Sequence, residues 1–138
     1  MKIYILADME GVSGISGSSF VLADGANYQL GRKLLTQDIN ACVKGCFKAG
    51  ATEVIVCDAH CTGSNILWEE LDPRAELIQG NGYRARFPEI AGSAGLILLG
   101  YHAMAGTFEG LLEHSYSSVK SRISGLTARK SGNSALTP

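Results

Sequence analysis

The sequence predicts an α/β fold with a mostly parallel sheet flanked by helices. Residues 2–7, KIYILA, and residues 53–59, EVIVCDA, are short apolar segments rich in strand-forming residues. Between them, residues 27–49 carry apolar side chains with the spacing of one helical face. A strand, a helix and a second strand in this order predict a right-handed βαβ unit with parallel strands.

Boundary residues support each of these elements. The first strand ends at Asp8, and the glycine-rich stretch GVSGISGSS that follows predicts a loop. Asn27 is suited to cap the N-terminus of the helix, which we expect to run to about Ala49, and Gly50 is suited to end it. The helical stripe consists of residues three and four positions apart: Leu35, Ile39, Cys42, Val43, Cys46 and Phe47.

The rest of the chain adds smaller elements to this unit. Residues 66–71 predict one or two helical turns, residues 75–80 a third strand, and residues 95–102 a fourth. A short helix is expected to start near Pro88. Residues 115–123 are a candidate for a further strand.

We expect one α/β metal-binding domain over residues 1–124 and an irregular tail over residues 125–138. The tail lacks convincing periodicity, and no acidic residue follows Glu113. A chain of 138 residues is long enough for one domain with its own core.

Composition narrows the range of functions. The chain has 46% apolar and 18% charged residues and a formal net charge of -1, which is typical of a soluble globular domain and argues against nucleic acid as a partner. No secretory signal and no apolar run long enough for a membrane span are visible. We therefore expect a cytoplasmic protein whose four cysteines are reduced.

Polar residues cluster at the predicted strand ends. Asp8 and Glu10 follow the first strand, His60 the second and His102 the fourth, and His114 comes after a further loop. Parallel α/β sheets place their sites beyond the carboxyl ends of the strands. Two neighbouring carboxylates repel each other unless a cation compensates, and carboxylates with imidazoles suit Zn²⁺ or another first-row ion. Together these residues predict a metal site.

Each of these residues also has a simpler explanation when taken alone. Asp8 suits a turn, Glu10 a solvated surface and His60 a loop. His102 is also explained by a hydrogen bond to a carbonyl group, and His114 by a surface position. Their coincidence at the strand ends favours the metal site, with Asp58 as local support for His60.

The cysteines, the glycine-rich stretch and two arginines give weaker indications of a functional site. Cys42, Cys46 and Cys57 fit the core, and only Cys61 is a candidate for proximity to the site. No zinc-finger or C-x-x-C spacing is present, and the glycines of residues 11–17 match neither phosphate-binding pattern. Two arginines, Arg84 and Arg86, would suit either a substrate carboxylate or the solvated surface.

Four segments together resemble the DppA-type D-aminopeptidases, the M55 metallopeptidases. They are DMEGVSGI, DAH, GYHAMAGT and EHSYS, in the family's order and spacing from Met1 to about Arg122. The resemblance implies the N-terminal half of a DppA-like fold, a centre of two zinc ions and a homo-oligomeric assembly. It further implies release of N-terminal D-amino acids from short peptides, with zinc ligands at Asp8, Glu10, His60 and His102 and a catalytic histidine at His114.

The chain departs from this family after about residue 122. The family carries one further glutamate ligand there and is about twice as long, whereas this chain reads SGNSALTP. We therefore expect a truncated or frame-shifted member, with activity impaired by the missing ligand. Two other functions remain open: a non-catalytic metal-binding or assembly module, and a metal-dependent phosphoester hydrolase.

Overall fold

The computed structural model describes residues 1–80 and 89–115. The described residues divide into two units: residues up to 101 form the first, and residues 102–115 belong to the second. The predicted domain boundary at residue 124, the predicted tail and most of the candidate strand 115–123 lie outside the described residues. In the first unit, the regular elements are β1 (Lys2–Ala7), α1 (Tyr28–Lys48), β2 (Glu53–Asp58), β3 (Glu76–Ile78) and β4 (Gly95–Leu99).

The four strands form one parallel sheet in the order β3-β2-β1-β4. This confirms the predicted α/β class. Strand β1 lies between β2 and β4, with Ala7 in register with Asp58 on one side and Leu99 on the other. Because the strands are parallel and in register, their carboxyl ends meet at the same edge of the sheet.

The core explains why β1 and β2 read as continuous apolar runs. Tyr4 pairs with Ile55 and Leu6 with Cys57, and these four side chains form one buried cluster. A strand covered on both faces shows no alternation of apolar and polar residues, which is typical of parallel sheets. The predicted core position of Cys57 is therefore confirmed.

Helix α1 has almost the predicted bounds. Its buried residues include Leu35, Ile39 and Val43 of the apolar stripe, and Gly50 follows the helix in the left-handed region at φ 94°. Asn27 stands at the N-cap position but makes no capping hydrogen bond with its side chain. Its amide donates instead to Ser19 Oγ at 3.1 Å, so Asn27 fastens the preceding loop. None of the described helices is long and apolar enough to span a membrane.

The smaller elements differ from the prediction in their lengths. Strand β4 ends at Leu99 rather than residue 102, and β3 covers Glu76–Ile78 rather than residues 75–80. Residues 66–71 contain one 3₁₀ turn at Trp68–Glu70, which agrees with the predicted one or two helical turns. The prediction of a helix starting near Pro88 is wrong for residues 89–92. These residues form turns, and Glu89 has φ 63°. Residues 86–88 of that segment are outside the described part of the chain.

Two glycines allow the segments after β1 and β4 to approach each other closely. A Cβ atom on Gly100 would lie 2.2 Å from the Asp8 carbonyl oxygen, and one on Gly11 would lie 2.4 Å from the Tyr101 carbonyl oxygen. Gly100 also has φ +68°, a conformation that L-residues rarely adopt. The Gly11 amide donates to the Gly100 carbonyl at 2.7 Å, so the contact is hydrogen-bonded as well as close.

We expect Gly100→Ala to lower the free energy of unfolding by at least about 1–2 kcal/mol, because the new methyl group strains φ and meets the backbone of Asp8. Urea denaturation measures the change. Gly45→Ala is the matched control: Gly45 lies on the exposed side of α1 with nothing within 4 Å of an added Cβ. It should raise the free energy of unfolding by about 0.5–1 kcal/mol. Equal effects from the two substitutions would contradict the close approach.

Candidate metal centre

Asp8, Glu10 and His60 meet at the carboxyl edge of the sheet. His60 Nδ1 lies 3.1 Å from Asp8 Oδ1 and 3.2 Å from Glu10 Oε2. One ligand atom from each residue can be chosen so that all three lie within 4.8 Å of one another. All three residues are buried, with 5%, 6% and 7% of their surface exposed. We call these three residues the acidic cluster.

Backbone hydrogen bonds place the cluster beside the sheet. The Asp8 amide donates to the Leu99 carbonyl and the Ala59 amide to the Ala7 carbonyl, both at 2.8 Å, so the ladders continue one residue past β1 and β2. The Val12 amide then donates to the Met9 carbonyl at 3.1 Å and closes a turn. Asp8 and Glu10 enter the site from this turn, and His60 enters from the loop after β2.

Asp58 supports His60, as the sequence predicted. Asp58 Oδ1 accepts the His60 backbone amide at 3.2 Å, and Asp58 Oδ2 accepts the Ile66 amide at 3.1 Å. One buried carboxylate thus holds both ends of the loop between β2 and Ile66. The side chain of Asp58 is used for this purpose and does not belong to the acidic cluster.

The Val21 carbonyl selects which nitrogen of His60 faces the carboxylates. His60 Nε2 lies 2.9 Å from the Val21 carbonyl oxygen. A carbonyl can only accept, so Nε2 carries a hydrogen and donates it. In the neutral ring the lone pair is then on Nδ1, which points at Asp8 and Glu10. This is the arrangement in which a histidine binds a metal through one nitrogen and is oriented through the other.

The electrostatics of the cluster demand a positive charge. Burial would lower the pKa of His60, but the contacts with Asp8 and Glu10 raise it to about 10. Burial would raise the pKa of Glu10, but the contact and charge of His60, together with Asp8, lower it to about 2. Without a metal, a proton on His60 therefore compensates part of the carboxylate charge. A divalent cation would take the place of that proton.

The residues fit a divalent metal ion. Glu10 Oε2 is fully buried and makes no hydrogen bond within the described part of the chain, although it faces His60 Nδ1. A buried carboxylate oxygen is costly to leave unbonded. Two carboxylates and one imidazole are also a donor set that zinc accepts.

The other two predicted site residues belong to the second unit. His102 is half-buried and His114 is exposed, and their rings stack with centroids 3.5 Å apart. Each Nδ1 lies 2.8 Å from a backbone carbonyl oxygen, that of Ala103 for His102 and that of Leu112 for His114. Each Nδ1 therefore donates, and the neutral rings have their lone pair on Nε2. The structure brings together Asp8, Glu10 and His60; the roles of His102 and His114 stay predictions.

The cysteines and arginines add no further ligand to the acidic cluster among the described residues. Cys46 and Cys57 are buried, Cys42 is half-buried, and Cys61 is exposed directly after His60 with φ 48°. Burial and the neighbouring Cys46 raise the pKa of the Cys42 thiol to about 11, so it stays protonated at neutral pH. Arg84 and Arg86 are outside the described residues.

Sequence reasoning missed two contributors to this site. The Val21 carbonyl belongs to a loop with no periodic pattern. Every residue has a backbone carbonyl, so the residue type at this position could not indicate the contact. Asn65 lies in the loop after β2 and donates to both Asp58 and the His60 carbonyl. Its only signal was its position at the end of the loop that carries His60.

Comparison with known proteins identifies the family. Residues 1–136 match the model of the M55 peptidases, whose description is D-aminopeptidase. The chain belongs to the M55 peptidase family.

A curated relative and a solved structure agree with this assignment. The M55 chain is 39% identical over 117 residues to the D-aminopeptidase of Bacillus subtilis (strain 168). It superimposes with a TM-score of 0.75 on a structure described as the Zn-dependent D-aminopeptidase DppA from Bacillus subtilis, a self-compartmentalizing protease. Both matches cover 83% of the M55 chain and 42% of the relative, so the chain spans about two fifths of that protein's length.

We expect the stability of the chelator-treated M55 chain to fall as the pH rises from about 7 to 10. The folded pKa of His60 lies above its ordinary value of 6.5, at about 10. The contribution of His60 to the free energy of unfolding is therefore fully present below about pH 6.5. It is lost as the pH approaches 10, by up to about 1.4 kcal/mol per pH unit. Urea denaturation at several pH values measures the slope.

His60→Gln provides the control for this pH dependence. It keeps a polar side chain but cannot titrate, so its slope over the same range should be flatter than that of the wild type. Parallel pH profiles for the two proteins would contradict the raised pKa of His60.

Proposed function

We propose that this chain carries the zinc-binding half of a metal-dependent aminopeptidase that releases N-terminal D-amino acids from short peptides. The observation that carries the proposal is the buried acidic cluster of Asp8, Glu10 and His60, whose ligand atoms lie within 4.8 Å of one another. Membership of the M55 family and the similarity to a protein described as a Zn-dependent D-aminopeptidase support it.

The acidic cluster would hold zinc through Asp8 Oδ1, Glu10 Oε2 and His60 Nδ1. When bound, zinc supplies Lewis acidity for the attack of water on a peptide carbonyl. The chain's own residues do the rest: Val21 keeps the hydrogen of His60 on Nε2, and Asp58 holds the His60 backbone. Burial of the three ligands excludes bulk water and strengthens every charge interaction in the site.

His102 and His114 have proposed roles that rest on the sequence. We propose His102 as a further zinc ligand and His114 as the group that transfers a proton during peptide cleavage. Carbonyl contacts place the lone pair of each neutral ring on Nε2, which is the form that a ligand or a base requires. We also propose that the chain forms homo-oligomers, supported by the description of the solved relative as self-compartmentalizing.

Metal content and substrate choice test the proposal together. We expect the purified chain to retain zinc, and Glu10→Gln to lose it and to lower peptide turnover by at least about 100-fold, because one negative ligand is removed. Asp72→Asn is the matched control, since Asp72 is also a buried carboxylate but pairs with Arg74 at 2.7 Å. It should leave zinc content and turnover unchanged.

The substrates separate the candidate functions. Cleavage of D-alanyl peptides in preference to L-alanyl peptides supports the proposal, and the reverse preference contradicts it. Turnover of p-nitrophenyl phosphate alone would indicate a phosphoester hydrolase. Zinc binding without turnover of any of these would indicate a metal-binding or assembly module.

The two histidines of the second unit should give different results when they are replaced. His114→Gln is expected to keep zinc and to lower kcat by about 100-fold or more, because only proton transfer is lost. His102→Gln is expected to lower zinc content as well. Zinc content is measured by elemental analysis beside peptide hydrolysis. Loss of zinc in His114→Gln would contradict a role limited to proton transfer. Full zinc content and activity in His102→Gln would contradict its role as a zinc ligand.

A further inference from the structure

Asn65 joins His60 and Asp58 to helix α1 through hydrogen bonds of both its side chain and its backbone. It is buried, with 2% of its surface exposed, and it lies five positions after His60 in the loop that follows β2. Its side-chain amide donates to Asp58 Oδ1 at 2.9 Å and to the His60 carbonyl at 2.7 Å, and its backbone amide donates to Asp58 Oδ2. Both hydrogens of the side-chain amide are therefore used to hold His60 and its support.

Helix α1 holds the other side of Asn65. The Tyr28 hydroxyl donates to Asn65 Oδ1 at 2.7 Å, and Arg32 Nε donates to the Asn65 carbonyl at 2.8 Å. The Asp58 carboxylate and the His60 carbonyl fix the amide orientation, because both can only accept and must therefore face the nitrogen. The amide oxygen is then left to accept the Tyr28 hydroxyl. A flipped amide would place its nitrogen against Tyr28 and its oxygen against the Asp58 carboxylate.

We infer that Asn65 is a positioning residue that transmits the placement of helix α1 to His60 and so sets the geometry of the acidic cluster. It contacts neither Asp8 nor Glu10 in the hydrogen bonds of the described residues, so it acts through Asp58 and the His60 backbone. The inference rests on the proposed function only for the identity of the bound ion. The positioning of the His60 ring is a property of the chain itself.

Asn40 provides a matched control on the same helix. Its Nδ2 donates to the Glu70 carbonyl at 2.8 Å and its Oδ1 accepts the Asp72 amide at 2.7 Å. Like Asn65, it joins α1 to a loop through its amide, but that loop carries no residue of the acidic cluster. Asn40→Ala therefore removes comparable tertiary hydrogen bonds without touching His60.

The test compares Asn65→Ala, Tyr28→Phe and Asn40→Ala in the full chain. Zinc affinity is measured by competition with a chelator, and ligand geometry by the visible absorption of the Co²⁺-loaded protein. We expect Asn65→Ala to weaken zinc binding by about 10- to 100-fold and to shift the Co²⁺ bands. Tyr28→Phe should do the same to a smaller extent, and it serves as the deciding variant if Asn65→Ala does not fold. Asn40→Ala should destabilise the fold while leaving affinity and spectrum unchanged.

A second readout separates this inference from the proposed function. In the metal-free protein, the ¹⁵N resonances of the His60 ring should shift in Asn65→Ala and Tyr28→Phe but not in Asn40→Ala. If the wild type binds no zinc, the proposed function fails and these resonances decide the role of Asn65 alone. The inference would be overturned if Asn65→Ala and Tyr28→Phe both kept the zinc affinity and the His60 ring resonances of the wild type. It would also be overturned if Asn40→Ala lost as much zinc affinity as Asn65→Ala.

Discussion

Two buried carboxylates held against one imidazole are the constraint on which this site depends. Asp8 and Glu10 contribute two negative charges at a position where each residue exposes 6% or less of its surface. Burying uncompensated charge costs several kcal/mol per ion, so the cluster needs a cation to be stable. A proton on His60 leaves a net charge of -1, from two carboxylates and one imidazolium. A divalent ion with neutral His60 brings the sum to zero, and this favours a divalent metal over any monovalent ion.

The scaffold meets this constraint by bringing three strand ends to one edge of the sheet. Gly11 and Gly100 allow the backbones after β1 and β4 to touch, because neither position has room for a Cβ atom. Asp58 fastens the loop after β2 through its own carboxylate. The glycines of the DMEG and GYH segments therefore have a structural reason that is separate from the metal: they make the close packing of the site's backbone possible.

Periodic features of the fold could be predicted from the sequence, and irregular ones could not. The parallel sheet and the bounds of α1 followed from apolar patterns that extend over six or more residues, which sum many small preferences into one signal. The expected helix near Pro88 had only one proline and a short apolar stretch behind it, and turns form over residues 89–92 instead. Asp8, Glu10 and His60 could be named in advance because the strand-end rule needs only strand order, not loop geometry.

The choice of nitrogen on His60 shows what the residue pattern leaves open. The letters DAH do not say whether Nδ1 or Nε2 faces the carboxylates, because a carbonyl from a distant loop, that of Val21, makes the choice. The choice of nitrogen matters because Nδ1 is bonded directly to Cγ, the ring carbon that is attached to Cβ. Nδ1 therefore lies closer to the backbone than Nε2. Ring rotation can therefore correct little of an error in backbone position. A site that binds through Nδ1 needs its backbone held firmly, and the hydrogen bonds of Asp58 and Asn65 to the His60 backbone meet that need.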